Sequence, residues 1–198
     1  MPAKTRSYRM QRRAESQQQT RRRITESAVA LHGSVGPSRT SISAVAAHAG
    51  VRRSTVYRHF ADEAALFDAC SAHWAAANPL PRLDIWSAIE NPDERLGVAI
   101  AELYTFYRQT ESMLDNLFRD ETTTPLVQER FAAFRGYIDA ARDALMTGRN
   151  LRGAARRRTQ ASLGHAIAFS TWKSLVREQR LDDSDAAALV RALVSVAG

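Results

Sequence analysis

Ser54, Thr55, Tyr57, Arg58 and His59 place five hydrogen-bonding side chains within six residues, and Arg52 and Arg53 come just before them. Hydroxyls, a phenol, an imidazole and guanidinium groups at this density are mainly donors. They suit anionic oxygens and base edges better than they suit bond making. Covalent chemistry needs other spacings, and no GxSxG, HExxH, GxGxxG, Walker A or paired-cysteine pattern occurs. His32, His48, His59, His73 and His165 each lack an i+4 partner for a helical metal site. The expectation is a binding protein rather than an enzyme, with no metal and no cofactor.

The donor cluster needs a rigid support, and Thr40 to Phe67 supplies one. Ile42, Val45, Ala46 and Ala49 fall at i, i+3, i+4 and i+7, the apolar stripe of a two-turn helix. Thr40 and Ser41 offer cap hydroxyls before it, and Ala49-Gly50-Val51 closes it, since Gly accepts left-handed geometry. A second short helix is expected from about Arg53. Val56 and Phe60 face inward on it, while Ser54 and Arg58 point away, flanked by Thr55 and Tyr57. Such a pair is a helix-turn-helix, whose second helix fits the DNA major groove.

This stretch resembles the DNA-binding domain of TetR-type bacterial transcriptional repressors. The landmarks are Thr40-Ser41, Ile42, Val45-Ala46, Ala49-Gly50-Val51, Tyr57, His59-Phe60 and Ala64-Leu66-Phe67, within a pattern of about 45 residues from Ile24. Two positions depart from it. Glu63 stands where the family usually has a phosphate-touching Lys, and Val35-Gly36 stands where it usually has an aromatic residue. The resemblance implies a dimeric repressor that a small-molecule effector releases from its operator. It also implies that Tyr57, His59, Thr40, Ser41, Arg52 and Arg53 hold phosphates while Ser54, Thr55, Tyr57 and Arg58 lie nearest the bases.

Charge distribution agrees with a polyanion partner. The net charge is +7, but residues 1–60 carry twelve Lys/Arg against two acids, leaving −3 on the remainder. One end therefore meets the polyanion. Cys70 is the sole cysteine, which excludes an internal disulfide; it shares an apolar face with Leu66, Phe67 and Trp74 and reads as a buried thiol. The basic start lacks an apolar signal segment and no run approaches 18 apolar residues, so a cytoplasmic protein is expected.

The fold expected is all-α. Residues 1–19 read as a basic flexible arm whose arginines extend the DNA footprint or enter an adjacent minor groove. Residues 20–78 read as the helix-turn-helix domain, with the motif at about 41–60, and Arg21-Arg22-Arg23 as phosphate contacts. Asn78-Pro79-Leu80-Pro81 marks the boundary. Residues 79–198 read as a helical effector-binding and dimerisation domain with no membrane contact.

In that second half, helices are expected to open at Asn91-Pro92 and Thr124-Pro125, with a separate short segment near Met113 to Arg119. One long helix over about 154–179 and a last one from Asp182 complete it. That last helix, AAALVRALVSVA, is apolar almost all round, and with its predecessor it reads as a homodimer interface. Tyr107, Phe134, His165, Phe169 and Trp172 are the candidate lining of an effector pocket, with a core role for His165 as the other possibility. An inverted-repeat operator would follow from a twofold dimer. The alternatives are a general nucleic-acid-binding protein driven by the basic arm, and a helical enzyme.

Overall fold

A computed structural model describes residues 2–197, with side chains from Tyr8 onward. Ten α-helices account for most of the described residues, and no strand occurs among them. No helix there is long and apolar enough to cross a membrane. The chain forms two compact units, one of residues 1–78 with 112–130 and one of 79–111 with 131–198.

The first unit begins with α1, Pro2–Ser34. Its start departs from the flexible arm expected over residues 1–19. Arg, Gln, Ala, Met and Glu dominate there and are good helix formers, so the helix continues outward without packing. Gln11 donates to Glu15 and Arg22 pairs with Glu26 one turn apart along it. A single 3-10 turn, Pro37–Arg39, leads to α2, Ile42–His48, then α3, Arg53–His59, and α4, Glu63–Ala77. Ile24, Ala28, Ile42, Val45, Ala46, Ala49, Val56, Phe60, Leu66 and Cys70 make one core. These are the apolar positions that the helical periodicity selects.

The loop after α1 is held differently from the pattern the resemblance implies. Val35 is 40 % exposed, so no apolar side chain plugs the loop at that point. Instead Asn116 donates to the carbonyls of His32 and Gly33, Arg119 donates to Val35 O, and the Asp120 carboxylate accepts from Ser38 N at 2.9 Å. Asp120 is 2 % exposed and also accepts from Arg119 at 2.8 Å, which holds its carboxyl below the usual range. These three residues lie near the end of α6, Pro92–Glu121, a single helix where a separate segment had been expected. Burial of Leu114 and Met113 keeps that stretch in register with the rest of the helix.

The second unit contains α5, Leu83–Ser87, the first five turns of α6 and most of α7, Pro125–Met146. It also contains α8, Gly153–Ala166, α9, Phe169–Lys173, and α10, Asp183–Ser195. The long helix expected over 154–179 is broken at Ile167–Ala168, where Ala168 is extended, and a π-turn over 174–178 follows α9. The break leaves carbonyls without helical partners. Two buried tyrosines of α6 satisfy them: Tyr104 Oη donates to Ala166 O at 3.1 Å, and Tyr107 Oη to Ile167 O at 2.5 Å. Neither partner lies near α8 in sequence.

Arg95, 3 % exposed, plays the same part at the other end of α6. Its guanidinium donates to the carbonyls of Trp86, Ile89, Glu90, Ala144 and Thr147. Replacing Arg95 with Met keeps the apolar stem but leaves buried carbonyls unpaired. We expect Arg95→Met to cost about 3–5 kcal/mol in urea denaturation; a loss under about 1 kcal/mol would mean that water replaces the guanidinium.

His32 gives a second test. It is buried against Phe67, with Nδ1 3.4 Å from Cys70 Sγ, and burial pushes its pKa down from 6.5 to about 4 while the Cys70 thiol is pushed up to about 12. A histidine held neutral in the fold loses stability as the unfolded chain takes up protons. Stability should be full above pH 6.5 and fall by about 3 kcal/mol between pH 6.5 and 4. In His32→Gln this slope should vanish from the pH dependence of chemical denaturation, whatever the variant's stability at pH 7.

Candidate nucleic-acid interface

Three devices, two local and one tertiary, set α3 in place. Ser41 caps α2 by accepting from Ala44 N at 3.1 Å. At the other end Val51 N donates to Ala46 O at 2.9 Å and Gly50 N to Ala47 O at 3.1 Å, which is the Schellman pairing. It requires a left-handed residue, and Gly50 has φ +63°. Third, Arg21 of α1 donates to the carbonyl of His59, the last residue of α3, with its guanidinium 4.0 Å from the Phe60 ring centre. The recognition helix is therefore fixed at both ends, by a turn at its start and a cation at its finish.

Between those ends Val56 turns inward at 1 % exposure, while Arg52, Arg53, Ser54, Tyr57 and Arg58 are exposed. Thr55 and His59 are half-buried. Arg53 donates to Tyr57 Oη at 3.1 Å and lies over its ring, so these two side chains support one another. Arg58 makes no ion pair among the described residues and is free to reach outward. His59 Nε2 is buried without a partner, and burial together with Arg58 and Arg21 pushes its pKa down.

The phosphate-contact candidates divide. Ser41 uses a lone pair for its cap, which leaves its hydroxyl hydrogen available. Thr40 donates its hydroxyl to Gly36 O at 2.7 Å, so that hydrogen is committed within the turn. Among Arg21-Arg22-Arg23 only Arg23 stays uncommitted, because Arg21 holds α3 and Arg22 pairs with Glu26.

The candidate pocket residues also divide. Tyr107, Phe169 and Trp172 meet in one cluster, with ring centres 5.4–6.1 Å apart, and all three are buried. Phe134 is half-buried and stacks on Phe131 at 5.0 Å. His165 is exposed, not a core histidine as the alternative reading had it. It stands 3.3 Å from Thr171 Oγ1 and lines a groove of about 330 Å³ with Ala161, Ser162, Ala166, Val190 and Leu193.

Residues 24–70 match the family model for bacterial regulatory proteins of the tetR family. The likeness to that family lies in this stretch, which runs from the last turns of α1 to the middle of α4. Solved structures share the fold over nearly the whole chain. NalD, the secondary repressor of the MexAB-OprM multidrug efflux pump in Pseudomonas aeruginosa, aligns with a TM-score of 0.62 at 20% identity, covering 92% of this chain and 96% of that one. A Mesorhizobium loti protein assigned to the TetR family gives 0.61 at 16%, covering 91% and 96%. The multidrug binding protein EbrR, complexed with imidazole, gives 0.53 at 20%, covering 87% and 88%. No curated protein matches the sequence.

Within the first unit the residues that sequence reasoning missed are Asn116, Arg119 and Asp120. Their partners lie more than 80 positions away, beyond the reach of any local pattern. Glu63, the departure from the usual Lys, follows Asp62, which caps α4 by accepting from Ala65 N at 2.7 Å. An acid in that first turn favours the helix dipole.

Gly50 offers a clean test of the turn. Nothing lies within 4 Å of where its Cβ would be, so any cost is one of backbone conformation alone. We expect Gly50→Ala to lower stability by about 1–2 kcal/mol, with Gly50→Asn milder because Asn tolerates left-handed geometry. Equal losses from both would point to a steric cause instead.

Proposed function

We propose that this protein is a homodimeric repressor that reads an inverted-repeat operator through α3 and is released by a small-molecule effector. The observation that carries the proposal is the exposed face of α3, with Ser54, Tyr57 and Arg58 projecting from a helix fixed at both ends. Arg58 reads a guanine by a bidentate contact, with Ser54 and Thr55 beside it. Ser41, Arg52, Arg53, Tyr57 and His59 hold phosphates and set register. Thr40 supports the turn through its bond to Gly36 rather than donating to DNA.

Dimerisation rests on α8 and α10. Ala186, Val190 and Val194 bury one face of α10, yet Leu189, Leu193 and Val196 are 41 %, 50 % and 81 % exposed on the other. An apolar face of that kind, beside the groove at His165, suits a twofold mate. The neighbouring fold NalD is a repressor and EbrR was solved with imidazole, which supports effector-responsive repression here. We place the effector in the second unit.

Selection from random duplex DNA with the purified protein tests the reading. Enrichment of an inverted repeat is expected. Arg58→Ala should cost about 1–3 kcal/mol per half-site and relax preference at one position. Uniform binding that simply fades with salt, unaltered by Arg58→Ala, would leave a general nucleic-acid-binding protein.

A further inference from the structure

The N-terminal extension of α1 lies outside the matched residues 24–70, and α3 makes no use of it beyond Arg21. We infer that this extension is a second DNA-binding element, a basic helix that grips the phosphates flanking the half-site. The inference rests on the operator-reading role proposed above. Four observations carry it.

The first is position. Arg21 ties α1 to the carbonyl that ends α3, so the extension starts beside the recognition helix and belongs to the same compact unit. From there the helix continues outward, and Arg9 stands about 18 Å along the axis from Arg21. That span matches about five base pairs of duplex at 3.4 Å each.

The second is charge segregation. At 100° per residue, Arg9, Arg12, Arg13, Ser16, Thr20 and Arg23 fall within about 100° of arc. Glu15 and Glu26, the only acids on the helix, lie together to one side of that stripe. Gln11 and Arg22 engage them there. The basic stripe is therefore not neutralised by its own helix, and among the described residues no acid pairs with Arg9, Arg12, Arg13 or Arg23.

The third is cost. Arg9 faces Arg12 and Arg13 at i+3 and i+4, where like charges repel. Residues 8–19 are exposed, and beyond the Tyr8 ring under Arg12 no packing offsets this term. A polyanion does.

The fourth decides which part of the DNA is met. A helix with side chains is about 10–12 Å across, and the minor groove is about 6 Å wide. The extension, being helical, stays outside the minor groove where an extended arm would enter it. Its contacts are with phosphates, so it contributes affinity and salt dependence and leaves sequence preference to α3.

The test compares the full-length protein with R9A/R12A/R13A and R9K/R12K/R13K. Binding is followed by fluorescence anisotropy against salt, on a selected operator, on that operator trimmed to its inverted repeat, and on a random duplex. Alanine favours helix, and circular dichroism verifies that the fold is kept. The alanine variant should lower the slope of log K against log salt by up to about 0.9 for each arginine removed, on operator and random duplex alike. It should lose the unmutated protein's preference for flanked over trimmed operator and keep the same selected sequence. The lysine variant should restore most of the binding. Equal slopes for the alanine variant and the unmutated protein would overturn the inference, as would an altered sequence preference. If no operator is enriched but the slope on random duplex still falls, the phosphate grip stands and operator reading fails.

Discussion

Every α-helix ends with four carbonyls that its own ladder leaves unpaired, and a protein built only of helices must satisfy them without the help of a sheet. Much of this structure follows from that constraint. Asn116 serves the last turn of α1, Arg21 the last residue of α3, and Arg95 the ends of α5 and α7 together. Tyr104 and Tyr107 serve the break after α8, and Arg158 reaches Ala197 O beyond α10. In each case the donor comes from a different helix. Pairing the ends therefore also decides which helices pack.

The same constraint shapes the helix-turn-helix. At α2 the carbonyls are paired locally, by the backbone of Gly50 and Val51, which fixes a sharp turn within the motif itself. At α3 the pairing is tertiary, through Arg21. The first arginine of a basic run thus does structural work while Arg23, two residues on, is exposed and uncommitted. Helix α6 carries the theme across the chain. It is unbroken from Pro92 to Glu121, contributing its early turns to the second unit and residues 112–121 to the first. Its polar residues at both ends hold loops by hydrogen bonds, while Leu96, Ile100, Leu103 and Tyr107 between them are wholly buried.

The helix-turn-helix was legible in the sequence almost residue by residue. Its determinants are local: a stripe at i, i+3, i+4 and i+7, a hydroxyl cap, and a glycine where φ must be positive. The starts of α4, α6, α7 and α10 were legible for the same reason, each carrying Asp, Asn or Thr as a cap, with proline at N1 in α6 and α7. The candidate pocket was less so. Aromatic spacing selects residues that turn inward, and Tyr107, Phe169 and Trp172 do turn inward, yet they fill the space with one another. Periodicity reports burial but says nothing about whether a cavity remains.

The sequence alone determined the helical class, the helix-turn-helix and the basic character of one end, because helix propensity, capping and charge are written in neighbouring residues. Tertiary structure decided the break at Ile167–Ala168, the exposure of His165 and the division of labour within Arg21-Arg22-Arg23. It also decided how the loop after α1 is held where the expected aromatic residue is missing. These features share one physical cause. A carbonyl or a cation can choose among many distant partners, and only the packed chain shows which of them comes within hydrogen-bonding distance.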